Sequence, residues 1–424
     1  MRIFKFGGAS VNSAEAIKNV TSILRLHQDE KLIVVISAMG KMTNALEKVV
    51  DAAFFGKENL ENKIRFVEKF HQEIMEGLFP QKDNPIFAVV SGIIDQISNT
   101  ANHPIQNYDE FYDKIVPFGE ILSTNIVSAI LNQNWLENFL LNAGQVIVTN
   151  ERFRDASVDW KITSEKVKAT VSGIFNNEKN PTKLIITQGF IGSTPGGKPT
   201  TLGREGSDFT ASVFAFCLNA SEVVVWKDVD GLLNADPVYF ADTIKIPQLS
   251  YREAIELAFF GAKILHPKTI KPLQNKSIPL RIKSFANPES EGSLIFKSSL
   301  TNQPVPFLIL KKEQMLISFS TKDFSFITEE KLHRLFGEFT QQNIKVNLMQ
   351  NSAISFTVCV NHPGQKLGGL IKSLSDDFEI KYNDGLELLT IRNFTNEVIE
   401  KQLKGCKVFL EQRSRKTFQV AFKK

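Results

Sequence analysis

The 424-residue chain is long enough for two or three domains with a sizeable core. Fifty Lys and Arg nearly balance 46 Asp and Glu, leaving a net charge of +4, so the composition does not call for nucleic acid or an acidic membrane as partner. Cys217, Cys359 and Cys406 are widely spaced, show no metal-ligand spacing and leave one thiol over from any pairing, which suits a reducing cytoplasm. The N-terminal apolar stretch breaks at Lys5, so no signal-peptide core forms, and no apolar run approaches the roughly 20 residues of a membrane span.

Taken in chain order, Arg2 to Phe6 reads as a short strand, and Ala14 onward carries apolar residues at helical spacing. Lys5-Phe6-Gly7-Gly8-Ala9-Ser10 therefore lies on a strand-to-helix turn, where glycine lets backbone N–H groups approach a ligand and a helix N-terminus favours an anion. Further apolar runs are predicted as strands at 31–37, 145–149, 183–191, 221–229 and 278–284. Separated by helical segments, they imply a mostly parallel sheet covered on both faces, with the ligand site beyond the carboxyl ends of the strands. The loop-rich stretch 285–306 reads as a boundary. After it, MLISFST (315–321), a helix at 329–343, two further strands at 344–350 and 353–360 and a final FQVAF predict two small βαββ-type units, the second shortened, with chain reversal around 364–369.

The polar clusters fall just after the strands. VISAMGKMTN (35–44) places Ser37, Gly40, Thr43 and Asn44 either as a helix cap with its turn or as a loop facing a ligand carboxylate. GSTPGGKPT (192–200) holds the spacing of a P-loop, but Pro199 replaces the required hydroxyl residue and no helix follows, so a hairpin loop is predicted instead. In TTLGREGSDFTASVFAF (200–216), Asp208 suits an ordinary N-cap, whereas Arg204 is disfavoured beside the positive end of a helix and better explained by a carboxylate or phosphate ligand. WKDVDGLLNADP (226–237) supplies Lys227, Asp228 and Asp230; its glycine falls at the wrong offset for an EF-hand, and a loop over a nucleotide fits. In FGAKILHPKTI (260–270), Lys263 suits a phosphate contact and equally a solvated lysine at a helix C-terminus, while the lone His266 is assigned no role.

KFGGAS, SAMGKMTN, PFGE (117–120), TNERF (149–153), TTLGREGSD, WKDVDGLLNADP and GAKILHP occur in the order and at roughly the spacing of the aspartate kinases of the amino acid kinase family. The resemblance covers about residues 1–295 and, more loosely, a tail similar to the tandem ACT regulatory domains of that family. It implies an α/β class, with an αβα sandwich on a mostly parallel sheet and α+β ACT-like regulatory domains. The catalytic domain would span 1–298 (substrate lobe to about 220, nucleotide lobe 221–298) and the regulatory units 299–424. The implied reaction carries the γ-phosphoryl group of MgATP to the β-carboxylate of L-aspartate in a cytoplasmic homodimer or higher homo-oligomer, without a protein metal site. Glutamate, acetylglutamate, carbamate or UMP as acceptor, or an ACT-type sensor of weak activity, are the alternatives.

The resemblance also implies roles. Lys5, Gly8, Ser10 and Asp208 are expected to be catalytic, and Ser37, Thr43, Glu120, Arg204 and Ser207 to bind substrate. Lys5, Phe6, Gly7, Gly8, Lys227, Asp228, Leu233, Lys263 and Ile264 are expected at ATP. Departures are visible too: Leu233, Asn234 and Val238 stand at aromatic, threonine and arginine positions of the nucleotide loop, and Glu205 replaces a glycine. Glu330, Asn347 and Ala353 depart from the lysine-sensing pattern, which predicts a tail that dimerises but senses lysine poorly.

Overall fold

Near-continuous apolar runs become the strands of one buried sheet. In the structure, a computed structural model that describes residues 1–56, 59–262, 265–297 and 305–424, these are β1 (Arg2–Phe6), β2 (Leu32–Ile36), β3 (Phe139–Leu141), β4 (Leu184–Gln188), β7 (Glu222–Lys227), β8 (Gln248–Ser250), β9 (Leu280–Ser284) and β10 (Ser293–Phe296), with β5 (Ile191–Ser193) and β6 (Pro199–Thr201) forming a separate hairpin. The sheet order is β8-β10-β9-β7-β1-β2-β4-β3, parallel except between β9 and β10. From β1 the chain continues outward to β2 on one side and β7 on the other, so a crevice opens at the carboxyl end of β1.

Helices cover both faces: α1 (Ala14–Arg25), α2 (Met42–Phe55), α3 (Leu60–Leu78), α4 (Pro85–Ala101), α5 (Tyr108–Ile115), α6 (Phe118–Gln133), α7 (Ala143–Val146), α8 (Trp160–Phe175), α9 (Gly206–Leu218), α10 (Tyr251–Phe260) and α11 (Pro267–Lys276). Phe4, Phe6, Val34, Ile36 and Trp226 face α1 to α6 in one large core, and α9 lies across β1, β2 and β7. The helical stretch Tyr108–Gln133 reaches the length and mean hydropathy of a bilayer-crossing helix, although charged and polar residues interrupt its apolar run. Its most apolar window is 72% buried in this core, which accounts for its composition.

The run 145–149 is not a strand. Asn142 accepts a hydrogen bond from the Gly144 amide and starts the short α7, leaving Val148 and Thr149 only isolated bridges to Ser193 and Val158. The GSTPGGKPT stretch is the predicted hairpin, its β5 and β6 pairing antiparallel. His266 proves to be the N-cap of α11, its Nδ1 accepting from the Lys268 amide.

Two compact units divide the described residues: Met1–Leu232 with Lys245–Ile255 and 265–297, and a second of Leu233–Ile244, 256–262 and 305–424. The second is built on a six-stranded antiparallel sheet of β11 (Phe307–Thr321), β12 (Val346–Asn351), β13 (Ser355–Asn361), β14 (Phe378–Arg392), β15 (Lys407–Arg413) and β16 (Thr417–Lys423), in the order β12-β13-β11-β14-β16-β15. Helices α12 (Glu329–Gln341), α13 (Lys366–Leu374) and α14 (Asn396–Leu403) complete it. The expected reversal at 364–369 is instead the start of α13, whose Leu370 and Leu374 are drawn into the core with Leu335 and Phe339 of α12. Nor are the two βαββ units separate: β11 and β14, each 15 residues long, run through both halves of the sheet.

Asn234 ties Leu233–Ile244 into the second unit. Its side chain accepts from the Ile244 amide at 2.7 Å and donates to Pro306 O at 2.9 Å, while its carbonyl accepts from Leu308 N at 2.8 Å. Asn234→Ala should cost about 1–3 kcal/mol of second-unit stability, the loss of two part-buried side-chain hydrogen bonds, with faster hydrogen exchange at the Ile244 amide than at Leu308. Equilibrium denaturation with exchange mass spectrometry measures both.

Candidate active site

Strand alternation decides which way Lys5 points. Phe4 and Phe6 enter the core with Trp226, so Ile3 and Lys5 face α9. Asp208, in the first turn of that helix, brings Oδ1 to 2.6 Å from Lys5 Nζ, with Lys5 only 9% and Asp208 only 4% exposed. The cap position is held by Glu205, so Asp208 is no N-cap. The next residues on the same face of the sheet are Gly7, Ser37 and Gly189, by the register Lys5–Val35–Thr187. The start of α9 rests on that row. Ser207 Oγ donates to Ser37 Oγ at 3.2 Å, and a Cβ on Gly189 would fall 2.4 Å from Cβ of Ser207.

Gly8 is dictated by the protein itself. A Cβ there would meet Gly40 O at 2.7 Å and Ala38 O at 2.8 Å, and the Gly8 carbonyl accepts from the Gly40 amide. Ser10 closes the short 3-10 turn Gly8–Val11 and is 3% exposed. Glu205 shows why glycine suits its position, since its φ is +55°. The strain is offset in part by its carboxylate, which accepts from the His266 amide at 2.7 Å at the start of α11.

A cleft of about 360 Å³ collects Lys5, Ser37, Thr43, Glu120, Arg204, Ser207 and Asp208, together with Tyr112, Arg154, Phe190, Gly203, Glu205 and Gly206. Gly7, Gly8 and Ser10 are not among its lining residues. Thr43 comes from the first turn of α2, which has no side-chain cap, so the SAMGKMTN loop supplies cleft hydroxyls rather than a cap. Glu120 stands in the first turn of α6 at 2% exposure; Oε1 accepts from the Ala38 amide at 3.1 Å, and Oε2 has no hydrogen-bond partner among the described residues. Burial pushes its carboxyl up to about 8, against the backbone hydrogen bond and the Lys5 charge. Burial thus favours its protonated form.

Sequence reading missed Asp113 and Arg154. Asp113, fully buried in α5, accepts from the Thr201 amide at 2.9 Å, the Thr201 hydroxyl at 2.7 Å and the Arg154 amide at 3.0 Å. It thereby fixes the loop carrying Arg154 and the strand end that leads to Arg204. Burial raises its carboxyl to about 6, with the hydrogen bonds opposing.

On the other side of β1, Lys227 ends β7 and Asp228 follows it exposed, one step beyond the Phe6–Trp226 pair. Phe6 stacks on Trp226 with ring centroids 5.9 Å apart and is fully buried, so its side chain is core rather than ligand contact. Leu233 begins the segment that belongs to the second unit, and Val238, in that segment, is 78% exposed. Lys263 and Ile264 lie outside the described residues. Among the described residues, no group of three or more His, Cys, Asp or Glu could hold a metal ion.

The profile of the amino acid kinase family matches residues 1–284. Lysine-sensitive aspartokinase 3 of Escherichia coli is 30% identical over 399 residues, covering 92% of this chain and 86% of its own length. Chloroplastic aspartokinase 1 of Arabidopsis thaliana is 29% identical over 367 residues, 85% of this chain. The chain spans 63% of that relative and 47% of a bifunctional aspartokinase/homoserine dehydrogenase of Buchnera aphidicola. Among solved structures, E. coli aspartokinase III in complex with aspartate and ADP superposes with a TM-score of 0.82 at 27% identity, covering 100% of this chain and 95% of that one. Fold, match and cleft agree: the chain belongs to the amino acid kinase family.

Proposed function

We propose that this chain is an aspartate kinase: it transfers the γ-phosphoryl group of MgATP to the β-carboxylate of L-aspartate, giving 4-phospho-L-aspartate and ADP, the entry to lysine, threonine and methionine synthesis. The observation that carries this reading is the cleft at the carboxyl end of β1, where Lys5, Asp208, Glu120 and Arg204 converge in a fold similar to the E. coli protein bound to aspartate and ADP. The catalytic part is residues 1–298, with 299–424 regulatory and the assembly a cytoplasmic homodimer or larger homo-oligomer. The three free cysteines fit a reducing compartment.

A β-carboxylate, with an ordinary pKa of about 3.9, arrives ionised, and no general base is required. One of its oxygens forms the new P–O bond as the bond from phosphorus to the β,γ-bridging oxygen breaks, and the electron pair leaves with ADP. What the protein must supply is alignment of two anions and neutralisation of charge on the transferred oxygens. Lys5, held by Asp208, supplies the fixed cation. The Ser37, Thr43 and Ser207 hydroxyls orient the acceptor end, and Arg204 takes the α-carboxylate. Mg²⁺ enters as part of the nucleotide substrate, since it commonly keeps several waters and is held by substrate phosphates. Lys227 and Asp228, with Lys263 and Ile264, are assigned to the nucleotide side, where backbone groups of Phe6, Gly7 and Gly8 adjoin.

Glu120 takes the substrate ammonium. Its unpartnered Oε2 and its raised pKa give this step a proton signature. An ammonium stabilises the carboxylate form, so aspartate binding at pH 7 releases a proton, and affinity rises with pH until it levels off above about 8. Calorimetry in buffers of different ionisation enthalpy reads this release directly; binding without proton release would exclude the assignment. Lys5→Ala is expected to lower kcat by about 100- to 1000-fold, the scale of one charge-stabilising donor. Circular dichroism on the same sample controls for the buried Asp208 charge it leaves behind.

In the second unit, Asn347 Oδ1 accepts from Lys311 Nζ at 2.8 Å, and Asn347 Nδ2 donates to Gln314 and Asn361. A cation thus stands where a diamino effector needs an anion, Ala353 offers no charge, and Glu330 is in the first turn of α12. Millimolar lysine should leave the initial rate of ADP release unchanged, whereas strong inhibition would overturn this assignment of the tail.

A further inference from the structure

Arg154 is a left-handed residue without a glycine's excuse. Its φ is +65°, a conformation that disfavours any residue with a side chain, yet the backbone is anchored there by the Asp113 hydrogen bond at 3.0 Å. Its guanidinium carbon lies 4.5 Å over the Tyr112 ring and 5.5 Å from that of Tyr108, a platform that holds the planar group against the cleft. Arg154 and Tyr112 both line the cleft that holds Arg204. The guanidinium also pairs with Glu47 at 3.4 Å and Asp109 at 3.3 Å, whose side chains are 40% and 58% exposed.

We propose that Arg154 is a specificity-determining residue for the acceptor, a second guanidinium that reads the amino acid's α-carboxylate beside Arg204; the proposal rests on the aspartate kinase reading above. Arg204 is exposed and, among the described residues, makes no ion pair, so alone it is a solvent-screened grip. A carboxylate has about four lone-pair sites, and a bidentate Arg204 leaves two for a second fork. Exposed ion pairs such as those with Glu47 and Asp109 contribute little. The incoming carboxylate replaces the more exposed of them, Asp109, while the tyrosine rings hold the guanidinium and Asp113 holds the backbone amide of the same residue. The same buried carboxylate of Asp113 sets the positions of both arginine-bearing segments, since it also holds Thr201, three residues before Arg204.

The test uses Arg154→Gly and Asp109→Asn in the full chain. Glycine removes the guanidinium and relaxes the left-handed backbone, so its melting temperature should hold or rise. KM for aspartate should rise about tenfold, the loss of one charge-assisted contact, with kcat and KM for ATP within about twofold. Asp109→Asn, by removing the competing carboxylate, should lower KM for aspartate, a change that a purely structural arginine would not produce. An unchanged KM for aspartate in Arg154→Gly overturns the proposal while leaving the kinase reading intact, and so does a raised KM in Asp109→Asn. A parent enzyme that forms no acyl phosphate from aspartate overturns both.

Discussion

A lysine ammonium and an aspartate carboxylate in contact, both almost closed off from water, set the terms for everything around the cleft. Taking either partner away would leave a bare charge in a low-dielectric setting, which is far more costly than removing an exposed pair. The pair therefore fixes the distance between β1 and the first turn of α9. Gly189 and Gly8 follow from that spacing: both are places where backbone and neighbouring atoms approach so closely that no side chain fits. A fixed cation that need not reorganise is what phosphoryl transfer between two anions requires.

The acids of the site divide by environment rather than by type. Asp208 faces a cation and serves as a partner, whereas Glu120 is buried with one oxygen unpaired among the described residues, and burial shifts it toward the protonated form. Asp113 faces three backbone and hydroxyl donors and acts as a structural acceptor. Three carboxyl groups near one cleft thus do three jobs, separated by what each one touches.

Much of this was legible in the order of residues. Continuous apolar runs gave away a parallel sheet, and Lys5 of β1 meets the polar residues just beyond β2 and the hairpin in the cleft, whereas Gly7, Gly8 and Ser10 beyond β1 do not line it. Arg204 stood out because a helix start repels a cation. Asp113 did not, since within YDEFYDKI it reads as an ordinary charged helix residue and its partners are 41 and 88 positions away. Arg154 stayed hidden because a backbone angle leaves no mark in composition. The strand mistaken at 145–149 failed for a local reason: an Asx cap at Asn142 winds one turn of helix out of residues with strand propensity.

The shared strands of the second unit have a consequence for how such a tail can be inherited or trimmed. Because β11 and β14 each serve both halves of one sheet, neither half owns a complete set of hydrogen-bonded neighbours. Cutting away β15 and β16 would strip the 387–392 end of β14 on one side and present a raw row of amide and carbonyl groups, the template on which sheets of different molecules join. The two halves are one hydrogen-bonded fabric, and neither can be taken away without baring an edge of the other.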